Sequence, residues 1–210
     1  MPTDQDLETA LDLDLDTVSD DPPCFGVADD GRLISAEEFA DGFYEEPWKY
    51  ERVKWRLLVM SPEGTGHVRQ SEPWRDRLVM YKLPRPDLVA AVVSQAWVRI
   101  DDNDRIGDIG VYLGGTLDDL DIPTQAPDLM FEFVSKAKRD RYRDYVEKRA
   151  EYGRLGIPEY VIVDRFDRKV TALTLGEGGV YAERVLSAGE VYTSPLLPGF
   201  EVRLAEVLPR

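Results

Sequence analysis

The sequence has very few of the cysteine and histidine residues that many metal and cofactor sites require as ligands. Its 210 residues include one cysteine, Cys24, and one histidine, His67. An internal disulfide, a zinc cluster built on several cysteines and a site with several histidines are therefore excluded. No hydrophobic run approaches the roughly 18 residues that indicate a membrane span. Any metal would have to be held by carboxylates, which favours Mg²⁺ or Mn²⁺.

Basic residues are missing from the first 30 positions, which hold ten acids. We expect residues 1–30 to form an acidic, disordered arm and residues 31–210 to form one domain. The beginning of the chain also lacks the basic-then-apolar pattern of a signal peptide, which predicts a cytoplasmic protein. The other 180 residues carry 31 acids and 26 bases, so much of the net charge of −15 lies in the arm. The nearly balanced domain is compatible with a nucleic-acid partner.

The hydrophobic pattern predicts helices alternating with strands. A capping box of Ser35 and Glu38 begins a short helix, and "YERVKWRLLVM" from residue 50 predicts a strand or hairpin. We expect a second helix to begin near His67 and to be kinked or broken at Pro73. "AAVVSQ" fits either a helix or a strand, whereas "AWVRI" and "GDIGVYL" predict a hairpin.

The second half of the chain has a clearer pattern. "DLMFEFV" (128–134) predicts a central strand that is buried on both faces, and a helix is expected over residues 137–153. The strand "EYVIVD" and a β-rich C-terminal third follow. This order predicts an α/β or α+β protein with a mixed central sheet.

Two acids stand inside apolar strands, namely Asp108 in "GDIGVYL" and Glu132 between Phe131 and Phe133. An unpaired carboxylate is costly to bury, so each acid needs a partner. If the strands are neighbours, both carboxylates can hold one divalent ion, which would polarise a phosphate and activate a bound water. The alternative for Asp108 is a turn or an ion pair with Arg105.

The helix predicted after Glu132 carries polar residues at a spacing of four, namely Asp140, Asp144, Lys148 and Tyr152. This spacing places them on one stripe of the helix. The Lys148 ammonium could therefore face the sheet, orient the water and offset charge in the transition state. An ordinary ion pair between Lys148 and Asp144 is the alternative.

These residues resemble the Uma2 family of restriction-endonuclease-like proteins, within the PD-(D/E)xK nuclease superfamily. The resemblance covers residues 35–208 and is carried by "APDLMFEFVS", by the spacing of Asp144, Lys148, Tyr152 and Gly156, by "GIPEYVIVD", and by "SPLLPGFEVRLAEVL". It implies a restriction-endonuclease-like core, in which helices flank a mixed central sheet, with a β-rich C-terminal extension.

The resemblance also implies roles for single residues. Asp108 and Glu132 match the two metal-binding acids, Lys148 matches a lysine offered from the helix, and Glu51 matches an additional acid of the first hairpin. Val134 stands where the superfamily has a lysine two positions after the second acid. The implied activity is hydrolysis of phosphodiester bonds in DNA with Mg²⁺ or Mn²⁺, by an enzyme that works as a homodimer.

Two other functions fit the same sequence. A catalytically inactive nuclease-fold module could bind nucleic acid or act as a scaffold, and a metal-dependent hydrolase could act on a small phosphate ester. His67 is expected to begin a helix rather than to act on substrate. The acidic arm is expected to be solvated, or to cover the basic segment 131–154 and compete with a phosphate backbone.

Overall fold

The computed structural model describes residues 22–114, 117 and 125–208. The helices are α1 (Ala36–Asp41), α2 (Thr65–Lys82), α3 (Lys138–Tyr142), α4 (Arg149–Leu155) and α5 (Leu204–Val207). A π-helical segment, Arg143–Lys148, joins α3 to α4. The strands are β1 (Cys24–Phe25), β2 (Phe43–Tyr44), β3 (Lys49–Val53), β4 (Arg56–Met60), β5 (Val89–Ile100), β6 (Asn103–Leu113), β7 (Leu129–Phe133), β8 (Glu159–Asp164), β9 (Lys169–Leu175), β10 (Tyr181–Ser187), β11 (Val191–Thr193) and β12 (Glu201–Arg203).

A mixed eight-stranded sheet forms the centre of the fold. Its strands run in the order β10-β9-β8-β7-β6-β3-β4, and β5 pairs with β6 along nearly its whole length. Strands β7 and β8 are parallel, and the helical stretch from α3 to α4 connects them across one face. The other neighbours in this sheet are antiparallel. The predicted mixed sheet flanked by helices is confirmed.

Helix α2 covers one face of the sheet with an apolar stripe. Trp74 and Leu78 are buried against Phe131 and Phe133 of β7. The C-terminal strands and α5 complete this core, in which Tyr192 packs 5.5 Å from Trp74 between ring centroids. Because apolar burial contributes about 25 cal/mol for each Å², this face supplies much of the stability of the fold.

The end of the predicted acidic arm needs correction. Phe25 is fully buried in β1, and β1 pairs in parallel with β2. Asp29 accepts a hydrogen bond from the Gly26 N–H at 2.9 Å. Residues 22–30 therefore belong to the folded domain, because the buried phenyl ring anchors them to it. Residues 1–21 lie outside the described residues, and so does most of the predicted loop before Pro127.

The structure also bears on two predictions that left alternatives open. Helix α2 runs through Pro73 without a break, because the packing of Trp74 and its neighbours on the sheet outweighs one lost hydrogen bond. The ambiguous "AAVVSQ" is part of strand β5. The capping box of Ser35 and Glu38 and both hairpins are confirmed. Among the described residues, no helix has the length and apolar character needed to cross a membrane.

Candidate active site

Two strands pair with the same edge of β6 and leave a gap between them. Strand β7 pairs with residues 109–111, whereas β3 pairs at Asp104. Within the gap, the backbone of Ile106 binds side chains instead of a strand. Its N–H donates to Oε1 of Glu51 at 3.0 Å, and its carbonyl accepts from Nζ of Lys148 at 2.6 Å. Buried backbone groups need hydrogen-bond partners, and at this gap the side chains of Glu51 and Lys148 supply them.

Asp108 and Glu132 lie opposite each other at this gap. The register pairs Ile109 with Phe131, so one further step aligns the two acids and sends both side chains to one face. Oδ2 of Asp108 accepts the Phe133 N–H at 2.7 Å. Both acids line a pocket of about 440 Å³. The structure therefore brings together the two acids that the sequence predicts as metal ligands.

Lys148 reaches this pocket from the helical layer. Its ammonium donates to Oε1 of Glu132 at 2.8 Å and lies 3.6 Å from Oε1 of Glu51. The Tyr152 hydroxyl donates to the same Glu132 oxygen at 3.2 Å. Lys148 is 2% exposed and ends the π-helical segment, an irregularity that is frequent at functional sites. The predicted helix amine therefore faces the sheet.

Arg105 holds Glu51 in place from behind. Its guanidinium donates to Glu51 at 3.0 Å and makes two bonds to Glu151, at 2.8 and 2.9 Å. Asn103 donates a further hydrogen bond to Glu151 at 3.0 Å. Arg105 is 1% exposed, so removing one of its acids would leave buried charge without compensation. Glu51 therefore contacts both a fixed arginine and the lysine of the pocket.

His67 and Glu63 approach Asp108 from the opposite side of the pocket. His67 Nε2 lies 3.4 Å from Oδ1 of Asp108 and 3.7 Å from Oε2 of Glu63. This nitrogen is buried and makes no hydrogen bond. One ligand atom from each of the three residues falls within 4.8 Å of the others. An orphaned imidazole nitrogen beside two carboxylates fits a divalent cation, and the mixed donor set suits Mn²⁺ as well as Mg²⁺.

The pKa values reflect crowding of charge in this pocket. Burial raises the pKa of Glu132 well above its ordinary value, and the Lys148 ammonium offsets part of that effect. Burial acts in the opposite direction on Lys148, but Glu132 and Glu51 together raise the pKa of its ammonium. For His67, burial is outweighed by Asp108 and Glu63, so its pKa is raised. A bound cation would relieve the repulsion between Glu132 and Asp108.

Acidic and basic side chains both surround the pocket mouth. Burial raises the pKa of Asp144 to about 6, against the lowering effect of Lys148 and Arg143. Arg139, Arg143 and Lys49 also line the pocket, and Lys49 pairs with Glu63. Cations at the mouth of a carboxylate pocket can contact the phosphate groups of a nucleic acid.

The four residues predicted from the sequence, Asp108, Glu132, Lys148 and Glu51, all line this pocket. Sequence reasoning gave no metal role to Glu63 and treated His67 as a helix start. Glu63 precedes α2, which begins at Thr65, so no helical spacing connects it with His67 in the sequence. Their approach to Asp108 depends on how the chain before α2 folds against β6.

A mixed sheet flanked by helices, with paired acids at a gap in one strand edge, is a nuclease-like architecture. The crystal structure of "a putative nuclease belonging to DUF820 from Anabaena variabilis ATCC 29413" is similar to this chain with a TM-score of 0.66. The likeness covers 83% of this chain and 97% of that chain at 12% sequence identity, so it concerns the fold. Among curated proteins, none matches this chain.

The family itself is defined by sequence. The model of the Uma2 family, described as "Putative restriction endonuclease", matches residues 36–205. The chain therefore belongs to the Uma2 family, and this membership supports a nuclease function. The resemblance seen in the motifs is confirmed, and the matched range contains every residue that lines the pocket, from Lys49 to Lys148.

Proposed function

We propose that this protein is a Mg²⁺- or Mn²⁺-dependent endonuclease that hydrolyses phosphodiester bonds in DNA. The observation that carries the proposal is the convergence of Asp108, Glu132 and Lys148 on one pocket of a nuclease-like fold. Asp108 and Glu132 would hold the ion, with His67 and Glu63 as additional donors. When bound, such an ion polarises a phosphate and lowers the pKa of a water.

The protein residues would supply orientation and charge. Lys148 is fixed by the Ile106 carbonyl, so its ammonium can hold a water or a phosphate oxygen at a constant position. Glu51 would keep that ammonium charged, because it is itself held by Arg105. Arg139 and Arg143 would contact flanking phosphates. A cytoplasmic location and a homodimer stay predictions from the sequence and the family resemblance.

The test compares Glu132→Gln with Glu201→Gln, which makes the same change at an exposed position. Supercoiled, linear duplex and single-stranded DNA are incubated with each protein and Mg²⁺ or Mn²⁺. We expect cleavage by the wild type and by Glu201→Gln, and a loss of about 100-fold or more in Glu132→Gln. A wild type that cleaves no nucleic acid with either ion would contradict the proposal.

A catalytically inactive binding module is the second candidate, because Val134 occupies the usual lysine position and Glu132 is already bonded to Lys148. This candidate predicts that the wild type and Glu132→Gln bind Mn²⁺ and DNA equally well. A hydrolase of small phosphate esters would instead cleave a model diester and leave polynucleotide intact.

A further inference from the structure

A second pocket, of about 360 Å³, lies next to the candidate active site. Half of its lining residues are aromatic: Phe39, Tyr44, Trp48, Tyr50 and Trp97. Lys49 and Ile106 line both pockets, so the two are neighbours. We propose that this aromatic pocket binds one unpaired nucleobase of the strand whose phosphate lies in the active site. The inference rests on the proposed function, since it names the substrate class of that site.

The aromatic rings offer faces rather than polar tips. The Tyr44 hydroxyl donates to the Phe39 carbonyl at 2.5 Å, and the Tyr50 hydroxyl donates to the Glu45 carbonyl at 3.0 Å. Phe39 and Tyr50 belong to the core and form the floor of the pocket, at 2% and 4% exposure. The accessible ring faces are therefore those of the partly buried Tyr44 and Trp97 and of the exposed Trp48. Trp48 is 37% exposed at the pocket, so an incoming ring can reach it. Stacking on aromatic faces is the usual way in which proteins hold unpaired bases.

Gln95 gives this pocket a polar edge. It lies in β5 with a φ of +56°, in the left-handed region, where a side chain other than glycine is strained. Strain of this kind is found most often at functional sites. The residues on either side pair with Ile109 and Gly107, so Gln95 stands opposite Asp108. An amide that can donate and accept matches the hydrogen-bonding edge of a base.

The two pockets together match the two ends of a nucleotide. The active-site pocket presents carboxylates that can bind a cation and basic side chains that can bind a phosphate. The second pocket presents aromatic rings and the Gln95 amide. Lys49 lines both pockets, and its ammonium pairs with Glu63 on the active-site side. A base inside an intact duplex is already stacked and paired, so it would have to be extruded first. The geometry therefore points to single-stranded or locally unpaired nucleic acid as the substrate.

The experiment measures binding in EDTA, so that cleavage cannot interfere. A fluorescein-labelled single-stranded 12-mer of mixed sequence and the matching duplex are titrated with the full chain, and the anisotropy of the label gives the affinity. The tryptophan fluorescence of the wild type is recorded as a second signal. Trp48→Ala is compared with Trp55→Ala, because Trp55 is 50% exposed and lies outside the pocket. Trp48→Phe tests rescue by another ring, and thermal melting checks that each variant is folded.

We expect the single strand to quench fluorescence and to bind more tightly than the duplex. Trp48→Ala should lose about tenfold or more in affinity for the single strand, while Trp48→Phe and Trp55→Ala stay within about threefold of the wild type. Gln95→Ala should change the relative affinities for the four single-stranded homo-oligonucleotides. Equal affinities of Trp48→Ala and Trp55→Ala, or equal affinities for single strand and duplex, would overturn the proposal.

This outcome is separate from that of the cleavage test. If Glu132→Gln abolishes cleavage and Trp48→Ala binds like the wild type, the nuclease stands and the base pocket is rejected. If Trp48→Ala loses single-strand affinity and no protein cleaves nucleic acid, the base pocket stands and the hydrolytic function is rejected.

Discussion

The two faces of strand β7 lie in very different environments, one apolar and one charged, with only the thickness of the sheet between them. On one face, Phe131 and Phe133 pack against Trp74 with ring centroids 5.5 and 6.5 Å apart. On the other face, Glu132 accepts hydrogen bonds from Lys148 and Tyr152. Alternation along a single strand thus separates an apolar core from a buried charged pocket. One face therefore contributes apolar burial that stabilises the fold, whereas the other holds charged groups whose burial costs stability.

The largest effect should come from replacing the charge at the centre of the pocket. Lys148→Met keeps the shape of the side chain but leaves Glu132 and Glu51 without their shared ammonium. We expect the cleavage rate to fall about 10²–10³-fold. The free energy of unfolding, measured in urea at pH 7, should fall by about 3–5 kcal/mol. Lys169→Met removes a partly exposed ion pair and should change neither quantity by more than a small amount. Wild-type cleavage by Lys148→Met would contradict a role for this amine.

Changes on the apolar face should lower the stability and leave the Mn²⁺ affinity unchanged. Phe131→Ala opens a cavity beside Trp74 and should cost about 3–5 kcal/mol of stability. Phe166→Ala, at a residue that is 41% exposed, should cost about 1 kcal/mol or less. Below the unfolding temperature, Phe131→Ala should keep the Mn²⁺ affinity of the wild type, as measured by calorimetry. A parallel loss of Mn²⁺ affinity would show that the two faces are not separate.

Some features behind these two predictions could be predicted from the sequence, and others could not. The buried strand β7, both hairpins and the convergence of Asp108, Glu132 and Lys148 were predictable from apolar patterning and the family resemblance. The gap between β3 and β7 was not, because it depends on two strands sharing one edge of β6. His67 and Glu63 reach Asp108 across the same gap, so their proximity also depends on tertiary structure. Of the kink or break expected at Pro73, the break does not occur for a similar reason, since packing of α2 on the sheet outweighs a local rule.

A smaller effect is expected from the clamp behind the pocket, by which we mean Glu151 and the Arg105 guanidinium that it holds against Glu51. Glu151→Gln weakens the bonds that fix Arg105, and through Arg105 it loosens Glu51. We expect about 1–3 kcal/mol less stability and about tenfold slower cleavage at saturating substrate. Glu147→Gln changes a 38% exposed acid that contacts the same arginine at 3.5 Å, so it serves as the control. If both variants cleave at the wild-type rate, the clamp has a structural role only.

The smallest effect concerns Glu159, which lies outside the pocket. Burial raises its pKa, although hydrogen bonds from Ser194 and Tyr192 oppose this. The folded state therefore holds this proton to higher pH than the unfolded state, and stability falls as the pH rises from the ordinary value through the raised pKa. Glu159→Gln should flatten this part of the curve in urea unfolding between pH 4 and 8.

Glu190 gives the matched comparison, because a backbone hydrogen bond from Ser187 lowers its pKa. Its contribution has the opposite sign, since stability is present above the ordinary carboxyl pKa and is lost as the pH falls through the lowered value. A Glu159→Gln curve parallel to that of the wild type would contradict the assignment of the raised pKa to this residue.

The most direct measurement is a crystal structure grown with Mn²⁺ and analysed by anomalous scattering. We predict one strong peak bounded by carboxylate oxygens of Asp108 and Glu132, with Lys148 in the same pocket and the His67 imidazole turned towards the ion. In crystals of Asp108→Asn the peak should disappear. A Mn²⁺ peak that avoids both acids, or that persists unchanged in this variant, would contradict the assignment of the pocket as a metal-dependent hydrolytic centre.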